Sequence, residues 1–422
     1  MLDISSPISL KGSKSVINRL LCMSLYHDVE LQLENINLCN DVQEMLGIFK
    51  LIGKGYSISA DKLNVRRACD EANHSKNIEI NISESGTCLR FILTYFAFAG
   101  YDSVTIRLGE RLSQRPIIPL VDCLNDAGAN IRLLQRFSEG QIYIEKYNEK
   151  KHYFALNSSE SSQFLTSIIL YASSLKKQTK ITLNADIASL SYIQMTADIL
   201  KMFGVSMQYE GNVVTVNGAG ETCLANTSIT YKLDPDYSTA CYYWFYSYLL
   251  RKPLFIKKIG SISQPDYKFL DVLRQLGINF IEKDDYISVN PDYSPLPNPH
   301  LPFPIDMSEM PDQIITLSFL AFCAGIKGCI KGCHTLFLKE SDRVAGIIEN
   351  VRLLGGEAHY SDDVLTIVPA ELPKLESVIP LKTYGDHRFA FTFLVLKEKY
   401  PCLEIDDIDC VKKSYDRSPP MV

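Results

Sequence analysis

The stretch TADILKMFGVSMQY, residues 196–209, joins a helical pattern to a strand-like run across a single glycine. Apolar residues recur at helical spacing as far as Phe203, and glycine follows at position 204. A glycine just beyond a helix readily adopts the left-handed backbone conformation that ends the helix. The stretch therefore predicts an amphipathic helix that ends at Gly204 and is followed by a strand.

This helix–glycine–strand pattern recurs along the chain at a nearly constant spacing. Neighbouring copies lie 73 to 78 residues apart, which is not expected of unrelated segments. The glycines that mark the copies are Gly53, Gly128, Gly204, Gly277 and Gly355.

A second helical pattern alternates with the first. It begins with small or polar residues suited to an N-cap and continues almost entirely apolar, as expected of a buried helix. Runs typical of β-strands lie between the two kinds of helix. The second pattern is found in GSKSVINRLLCMSLY (12–26), SGTCLRFILTYFAF (85–98), SSQFLTSIILYASS (161–174), DYSTACYYWFYSYLL (236–250), MPDQIITLSFLAFCAG (310–325) and GDHRFAFTFLVLKEK (385–399).

The two patterns combine into a unit of strand, helix, strand, helix, strand and strand. About six copies fit into the 422 residues, the last of them cut short. Solenoid repeats have shorter periods of about 20–50 residues. We therefore predict an α/β protein of two domains, each built from three such units.

Composition excludes several classes of partner. Hydrophobic residues make up 46% of the chain and the net charge is −6, whereas a general nucleic-acid-binding surface is basic. The longest apolar runs, such as ITLSFLAFCAGI (315–326), fall short of the roughly 18 residues that a membrane span requires. The chain has 12 cysteines without a CxxC pair and no recognisable signal peptide. We therefore expect a cytoplasmic protein, monomeric, with no nucleic-acid or membrane partner and no metal site.

The buried helices begin where reactive side chains are concentrated. Helix N-termini are good anion sites, because their N–H groups are free and the helix dipole favours negative charge. If these ends converge, they predict one cationic site for a small ligand that carries phosphate and carboxylate groups. The cations and polar groups concerned are Lys14, Arg19, Arg90, Arg115, Ser161, Ser162, Gln163, Lys339, Arg343, His387 and Arg388.

Each of these residues also has a purely structural interpretation. Ser161 and Ser162 could cap a helix. Glu340 and Arg343 lie at i and i+3, so they could form a salt bridge on a helix surface. His387 could be a core histidine with satisfied hydrogen bonds. The functional interpretation depends on all of them occupying corresponding places in the repeats.

These motifs, in this order, resemble those of the enolpyruvyl transferases, in the branch that acts on shikimate 3-phosphate. The similarity extends from residue 11 to about residue 415. It implies an inside-out α/β fold: two similar domains, each of three βαβαββ units, with buried helices and outer sheets. The implied domains are 1–12 plus 233–422 and 13–232, with the active site in the cleft between them. The matching stretches are KGSKSVINR, SGTCLR, RLSQRPI, SSQFLTSIIL, MPDQ, LKESDR, YGDHRFA and KKSY.

The resemblance also implies a reaction and a set of site residues. The enolpyruvyl group of phosphoenolpyruvate moves to the 5-hydroxyl of shikimate 3-phosphate and phosphate leaves, without metal or organic cofactor. The implied catalytic residues are Asp312 as base, Glu340 as acid and Lys14 at the leaving phosphate. The residues implied for shikimate 3-phosphate are Lys14, Ser15, Arg19, Ser161, Ser162, Gln163, Ser189, Tyr192, Asp312 and Lys339. Those implied for phosphoenolpyruvate are Lys14, Gly86, Arg115, Gln163, Arg343, His387, Arg388 and Lys413.

Some positions depart from the pattern of this family. Glu84 stands where many members have asparagine, Thr335 stands where some have asparagine, and the tail after KKSY is short. One alternative is the branch that acts on UDP-N-acetylglucosamine, whose typical KN opening and loop cysteine are absent here. Another is a non-catalytic anion-binding homologue, which Glu84 and the short tail favour and the retained Asp312 and Glu340 oppose.

Overall fold

The computed structural model describes residues 7–67, 77–136, 139–147, 153–219, 227–259, 264–289, 304–371 and 378–416. Short 3₁₀ turns cover Pro265–Lys268, Pro311–Gln313, His334–Leu338 and Asp409–Lys413. The α-helices are α1 (Lys14–Tyr26), α2 (Asn40–Leu51), α3 (Gly86–Phe98), α4 (Glu110–Ser113), α5 (Ile118–Asp126), α6 (Ser162–Ala172), α7 (Leu190–Met202), α8 (Tyr237–Leu250), α9 (Phe269–Gln275), α10 (Ile314–Cys323), α11 (Arg343–Leu353) and α12 (His387–Lys399).

The strands fill the positions between these helices. They are β1 (Glu30–Glu34), β2 (Tyr56–Ser59), β3 (Lys62–Val65), β4 (Asn77–Ile82), β5 (Ser103–Leu108), β6 (Asn130–Arg136), β7 (Glu139–Glu145), β8 (Tyr153–Leu156), β9 (Thr179–Leu183), β10 (Ser206–Glu210), β11 (Val213–Asn217), β12 (Ser228–Lys232), β13 (Leu254–Lys257), β14 (Phe280–Glu282), β15 (Tyr286–Val289), β16 (Ile305–Asp306), β17 (Gly328–Lys331), β18 (Glu357–Ser361), β19 (Val364–Val368), β20 (Ile379–Leu381) and β21 (Leu403–Ile405).

The chain divides into two compact units. Unit 1 comprises Met1–Ser13 and Asp234–Val422, and unit 2 comprises Lys14–Leu233. The boundaries expected from the sequence lie one residue earlier at both places where the chain passes between units.

The sheets of unit 2 repeat one strand order. β4 runs parallel to β5, which pairs antiparallel with β7, and β7 pairs antiparallel with β6. The order β8-β9-β11-β10 is the same arrangement one repeat later. In unit 1 the order β16-β17-β19-β18 repeats it again. The repeated unit is therefore βαβαββ, as the sequence predicts.

One sheet in each unit is completed by a segment from a distant part of the chain. In unit 2, β12 runs parallel to β1, with Ser228 opposite Glu30. In unit 1, Ile8 forms a parallel bridge to Ile256 of β13. In both units, therefore, residues that are far apart in sequence lie side by side in one sheet.

The second helical pattern of the sequence forms the centre of each unit. Helices α1, α3 and α6 pack on one another in unit 2, and α8, α10 and α12 do so in unit 1. Leu20, Phe91 and Ile168 are fully buried, and each such side chain contributes about 1.5–3 kcal/mol to folding. The strands cover these helices with one face and expose the other, as the alternating burial along β4 shows. Helices thus lie inside and sheets outside.

The glycines of the first pattern end their helices as predicted. Gly53, Gly128, Gly204, Gly277 and Gly355 all have φ values between 66° and 101°. The buried helices of the second pattern are capped at their N-termini by side chains, among them Ser85 on α3, Ser161 on α6 and Asp386 on α12. In the part of the chain that the structure describes, no helix has the length and hydrophobicity to cross a bilayer.

Candidate functional site

The predicted site residues occur in both units. In unit 1 they lie in loops and first turns that lead into buried or capped helices. Asp312 lies in the 3₁₀ turn before α10, Lys339 and Glu340 precede α11, Arg343 opens α11, His387 and Arg388 open α12, and Lys413 ends the 3₁₀ turn Asp409–Lys413.

Arg343 is the centre of the unit 1 group. Its side chain is 1% exposed, and its Nε donates to Oδ2 of Asp386 over 2.8 Å. Its Nη1 donates to Oδ1 of Asp312 over 2.8 Å, and its Nη2 donates to Oε2 of Glu340 over 3.0 Å. Burial opposes the charge, but the three carboxylates outweigh burial and raise the pKa of Arg343 above its usual value. The guanidinium therefore fixes three carboxylates in one place.

Asp312 is held by cations on several sides. Its Oδ2 accepts from Nη2 of Arg388 over 3.0 Å, and its Oδ1 lies 3.2 Å from Nζ of Lys339. Burial raises the pKa of Asp312, but Lys339, Arg388 and Arg343 outweigh it and hold the pKa well below its usual value. The carboxylate is therefore ionised at neutral pH.

Glu340 lies between two cations from different parts of unit 1. Besides its bond with Arg343, its Oε1 lies 3.8 Å from Nζ of Lys413. Lys413 is buried, with 6% of its surface exposed. Lys413, the predicted cation in the KKSY motif, therefore lies within this group. Residues 417–422 lie outside the described part of the chain.

Asp386 is the member of this group to which sequence reasoning gave no role. It is fully buried and caps α12 by accepting from the amide of Arg388 over 2.9 Å. It also accepts from Oγ of Ser341 over 3.1 Å. His387, the next residue, is 2% exposed, and its Nδ1 lies 3.6 Å from Oδ1 of Asp386. Asp386 thus fixes the guanidinium of Arg343 against the first turn of α12.

In unit 1 the predicted cations are paired with carboxylates. Lys339, Arg343, Arg388 and Lys413 each contact a carboxylate of Asp312, Glu340 or Asp386. Burying an uncompensated charge is strongly unfavourable, which explains why the buried cations Arg343, Arg388 and Lys413 have carboxylate partners. Lys339 is partly exposed. The salt bridge of Glu340 with Arg343 exists, but it is buried rather than on a helix surface.

In unit 2, Lys14 opens α1 and is held by α2. Its Nζ lies 2.7 Å from Oδ2 of Asp41, whose side chain is 5% exposed. Lys14 itself is 13% exposed, so its side chain is not fully removed from solvent. Asp41 is a further residue that sequence reasoning missed, although its place in the first turn of α2 is visible in the sequence.

Arg19 is buried among neutral oxygen atoms. Its Nε donates to Oγ1 of Thr196 over 2.9 Å, and its Nη1 donates to the carbonyl of Ser15 over 2.9 Å. Its Nη2 donates to Oγ1 of Thr166 over 3.4 Å. Its Cζ lies 6.0 Å from the centroid of the Tyr192 ring. Burial lowers the pKa of Arg19 to about 10, so the group still carries its charge at neutral pH. A buried guanidinium in such surroundings favours an anion nearby.

The remaining polar residues of unit 2 lie at the N-termini of α6 and α7. Ser161 caps α6, its Oγ accepting from the amide of Gln163 over 3.2 Å, and Ser162 is the first residue of that helix. Gln163 donates through Nε2 to Oγ1 of Thr87 on α3 over 3.0 Å. Ser189 precedes α7 with φ 55° and ψ 67°, a left-handed conformation that is uncommon for serine. Strained residues of this kind concentrate at functional sites.

Gly86 opens α3 beneath two guanidinium groups. A Cβ atom added at Gly86 would lie 2.3 Å from Nη1 of Arg90 and 2.7 Å from Nη1 of Arg115. Arg90 is 2% exposed and donates through Nη2 to the carbonyl of Pro116 over 2.7 Å. A side chain at position 86 would therefore force both guanidinium groups to shift.

Metal binding has no support from side-chain geometry. Within the described ranges, no three His, Cys, Asp or Glu side chains are arranged to hold a metal ion.

Comparison with known proteins identifies a family over nearly the whole chain. The family model described as EPSP synthase (3-phosphoshikimate 1-carboxyvinyltransferase) matches residues 2–420. A 3-phosphoshikimate 1-carboxyvinyltransferase from Haemophilus ducreyi is 28% identical over 417 residues, covering 98% of this chain and 94% of the relative. One from Yersinia ruckeri is 28% identical over 419 residues with the same coverage of both chains.

Solved structures support the fold. EPSP synthase from Acinetobacter baumannii is similar with a TM-score of 0.73 at 16% identity, covering 99% of this chain and 94% of that one. The enolpyruvyl transferase NikO from Streptomyces tendae is similar with a TM-score of 0.69 at 15% identity, covering 98% and 93%. The predicted inside-out α/β architecture of two similar domains is confirmed.

Proposed function

Because the chain belongs to the EPSP synthase family, we propose that it transfers the enolpyruvyl group of phosphoenolpyruvate to the 5-hydroxyl of shikimate 3-phosphate, releasing phosphate. The observation that carries this proposal is the pairing of Asp312 and Glu340 on one buried guanidinium, that of Arg343. Two carboxylates in different environments suit a reaction that needs both an acid and a base.

The proposed chemistry has two steps. In the first, Asp312 takes the proton of the 5-hydroxyl while Glu340 protonates the methylene carbon of phosphoenolpyruvate. A carbon–oxygen bond forms at the neighbouring carbon and gives a tetrahedral intermediate. In the second step the bond to the phosphate oxygen breaks, the new methyl group returns a proton to the carboxylate of Glu340, and phosphate leaves with the proton that Asp312 had taken. Fixed cations stabilise the developing charge, and no metal or organic cofactor takes part.

The cations around Asp312 set its strength as a base. Lys339, Arg343 and Arg388 lower its pKa, and the same three residues are proposed to bind the anionic groups of the substrates. In this proposal substrate anions compete with Asp312 for those cations. Each contact that a substrate takes over raises the pKa of Asp312 and makes it a better base.

We assign the two substrates to residues of both units. For shikimate 3-phosphate, Ser15 and Arg19 bind the carboxylate, Ser161, Ser162, Ser189 and Lys339 bind the phosphate, and Tyr192 packs near the ring. For phosphoenolpyruvate, the proposed residues are Gly86, Arg115, Arg343, His387, Arg388 and Lys413. Lys14 and Gln163 reach both substrates. The buried charge of Arg19 among neutral partners supports the first assignment.

We also propose that the protein works as a cytoplasmic monomer. Cysteines that are free in the described structure, such as Cys22, Cys88 and Cys241, are buried and fit a reducing compartment.

Phosphate release from purified protein tests the function. With shikimate 3-phosphate and phosphoenolpyruvate together, we expect steady release, and with either substrate alone we expect none. Release that requires UDP-N-acetylglucosamine in place of shikimate 3-phosphate would instead assign the chain to the sister activity. Binding of both substrates without any release would identify a non-catalytic homologue and contradict the proposal.

A further inference from the structure

A carboxylate on α2 occupies the turn that precedes α3. Glu44 accepts through Oε1 from the amides of Ser83 over 2.8 Å and Glu84 over 3.1 Å. It accepts through Oε2 from the amide of Ser85 over 3.0 Å. Successive N–H groups that converge on one point form an anion-binding nest, and here the chain fills that nest itself. The turn from Ser83 to Ser85 is therefore fixed to α2 by three hydrogen bonds to one ionisable group.

This turn determines where α3 begins. Ser85 caps the helix, its Oγ accepting from the amide of Cys88 over 3.2 Å. Gly86 follows, packed against the guanidinium groups of Arg90 and Arg115. A displacement of the turn would therefore move Gly86 relative to Arg115.

The same turn bears on a second proposed binding residue. Thr87, in the first turn of α3, accepts from Nε2 of Gln163 over 3.0 Å. Two residues assigned to phosphoenolpyruvate, Arg115 and Gln163, thus both contact the start of α3. Glu44 bonds to the amides of the turn and not to Arg115 or Gln163. Any effect of Glu44 on these two residues therefore passes through the turn.

Burial and neighbouring groups change the pKa of Glu44. Burial raises the pKa of Glu44, and the hydrogen bonds from Ser85, Ser83 and Glu84 offset part of that rise. Asp41, one turn earlier on α2, raises it further and at the same time holds Lys14. The side chain of Glu84 is exposed while its amide is bound to Glu44. The contact of residue 84 with Glu44 is therefore made by its backbone amide and not by its side chain.

We infer that Glu44 is a positioning residue for phosphoenolpyruvate, which fixes the turn Ser83–Ser85 so that Arg115 and Gln163 are set for that substrate. The inference rests on the proposed function. In this arrangement a glutamate on α2 holds the turn before α3 by accepting hydrogen bonds from its backbone amides.

Two variants test this role by steady-state kinetics. Glu44→Ala removes every acceptor, and we expect KM for phosphoenolpyruvate to rise at least about tenfold with kcat within about twofold. Glu44→Gln keeps one oxygen acceptor, and we expect a rise of about threefold. KM for shikimate 3-phosphate should rise less than KM for phosphoenolpyruvate in both variants, because Gln163 reaches both substrates whereas Arg115 is assigned to phosphoenolpyruvate alone. Glu79→Ala, which removes an exposed carboxylate from β4, should behave as wild type.

Hydrogen exchange followed by mass spectrometry provides the second measurement. The amides of residues 83–85 should exchange faster in Glu44→Ala than in wild type, and at an intermediate rate in Glu44→Gln. An unchanged KM for phosphoenolpyruvate in both variants would overturn the inference, as would a loss of kcat together with equal rises in both KM values. If Glu44→Ala does not fold, the KM values of Glu44→Gln decide. Wild-type protein without turnover would refute the proposed function. In that case, unchanged exchange at residues 83–85 in Glu44→Ala would separately show that Glu44 does not hold the turn.

Discussion

Nη1 of Arg343 lies 2.8 Å from Oδ1 of Asp312, so a proposed ligand of phosphoenolpyruvate holds the proposed base of the reaction. The contact links substrate binding to the ionisation of the base. It also links function to stability, because Arg343 is 1% exposed and forms ion pairs with three carboxylates. Changes at this group should therefore affect binding, turnover and folding to different degrees.

Replacing Arg343 by lysine tests how much the planar guanidinium contributes. Lysine keeps the charge but cannot make parallel bonds to Asp386 while also reaching Asp312 and Glu340. We expect a free energy of unfolding lower by about 3 kcal/mol and a KM for phosphoenolpyruvate at least about tenfold higher. Urea unfolding and steady-state kinetics measure the two effects. Arg274→Lys, at an exposed pair with Asp271, should change stability by no more than about 0.5 kcal/mol. Equal effects at both sites would argue against a central role for Arg343.

Replacing Glu340 by glutamine removes the proposed acid with little change of shape. We expect turnover to fall by roughly 10²-fold or more, while shikimate 3-phosphate still binds, as titration calorimetry would measure. Glu349→Gln provides a matched control, because Glu349 lies on α11 but is 44% exposed and pairs with Lys382. Near-normal turnover in Glu340→Gln would exclude Glu340 as the acid.

The depressed pKa of Asp312 predicts how stability depends on pH. The unfolded chain has an aspartate pKa of about 3.9, whereas Lys339, Arg388 and Arg343 hold the folded value lower. The stability from this carboxylate is therefore complete above about pH 5 and is lost as pH falls through the folded pKa. Compared with Asp312→Asn, wild type should lose its advantage in unfolding free energy only in that acidic range. An advantage that instead grew as pH fell below 5 would contradict the assignment.

Adding a methyl group at Gly86 tests the packing at the start of α3. The new Cβ would lie 2.7 Å from Nη1 of Arg115, so that guanidinium must move. We expect Gly86→Ala to raise KM for phosphoenolpyruvate about tenfold without changing KM for shikimate 3-phosphate. Gly47→Ala on α2 is the control, because its Cβ would meet no described atom within 4 Å. A Gly86→Ala enzyme with wild-type KM values would show that Arg115 does not act from this position.

Local patterns in the sequence were sufficient to predict most of the fold. A glycine such as Gly204 ends its helix through its own backbone freedom, and a run such as residues 164–172 is buried because most of it is apolar. The pairing of β12 with β1 could not be predicted in this way. These two strands lie near opposite ends of unit 2 in the sequence. The local periodicity of a sequence does not show which distant strands pair.

The same distinction explains what the sequence revealed of the site. Side chains at the starts of buried helices, such as Lys14 and Arg388, stand out because cations are unusual before an apolar run. Their carboxylate partners do not stand out. Asp41 looks like an ordinary acidic residue in the first turn of a helix, and Asp386 looks like an ordinary N-cap. Glu44 acts on backbone amides, which have no signature in the sequence at all.

Turnover in D₂O tests the central claim most directly, because the methylene carbon must gain one proton and lose one. We expect wild-type protein with shikimate 3-phosphate and phosphoenolpyruvate to form the enolpyruvyl product with deuterium in its methylene group, as mass spectrometry would detect. Glu340→Gln should form it at least about 10²-fold more slowly. Absence of the enolpyruvyl product, or full turnover without any deuterium in it, would contradict the account.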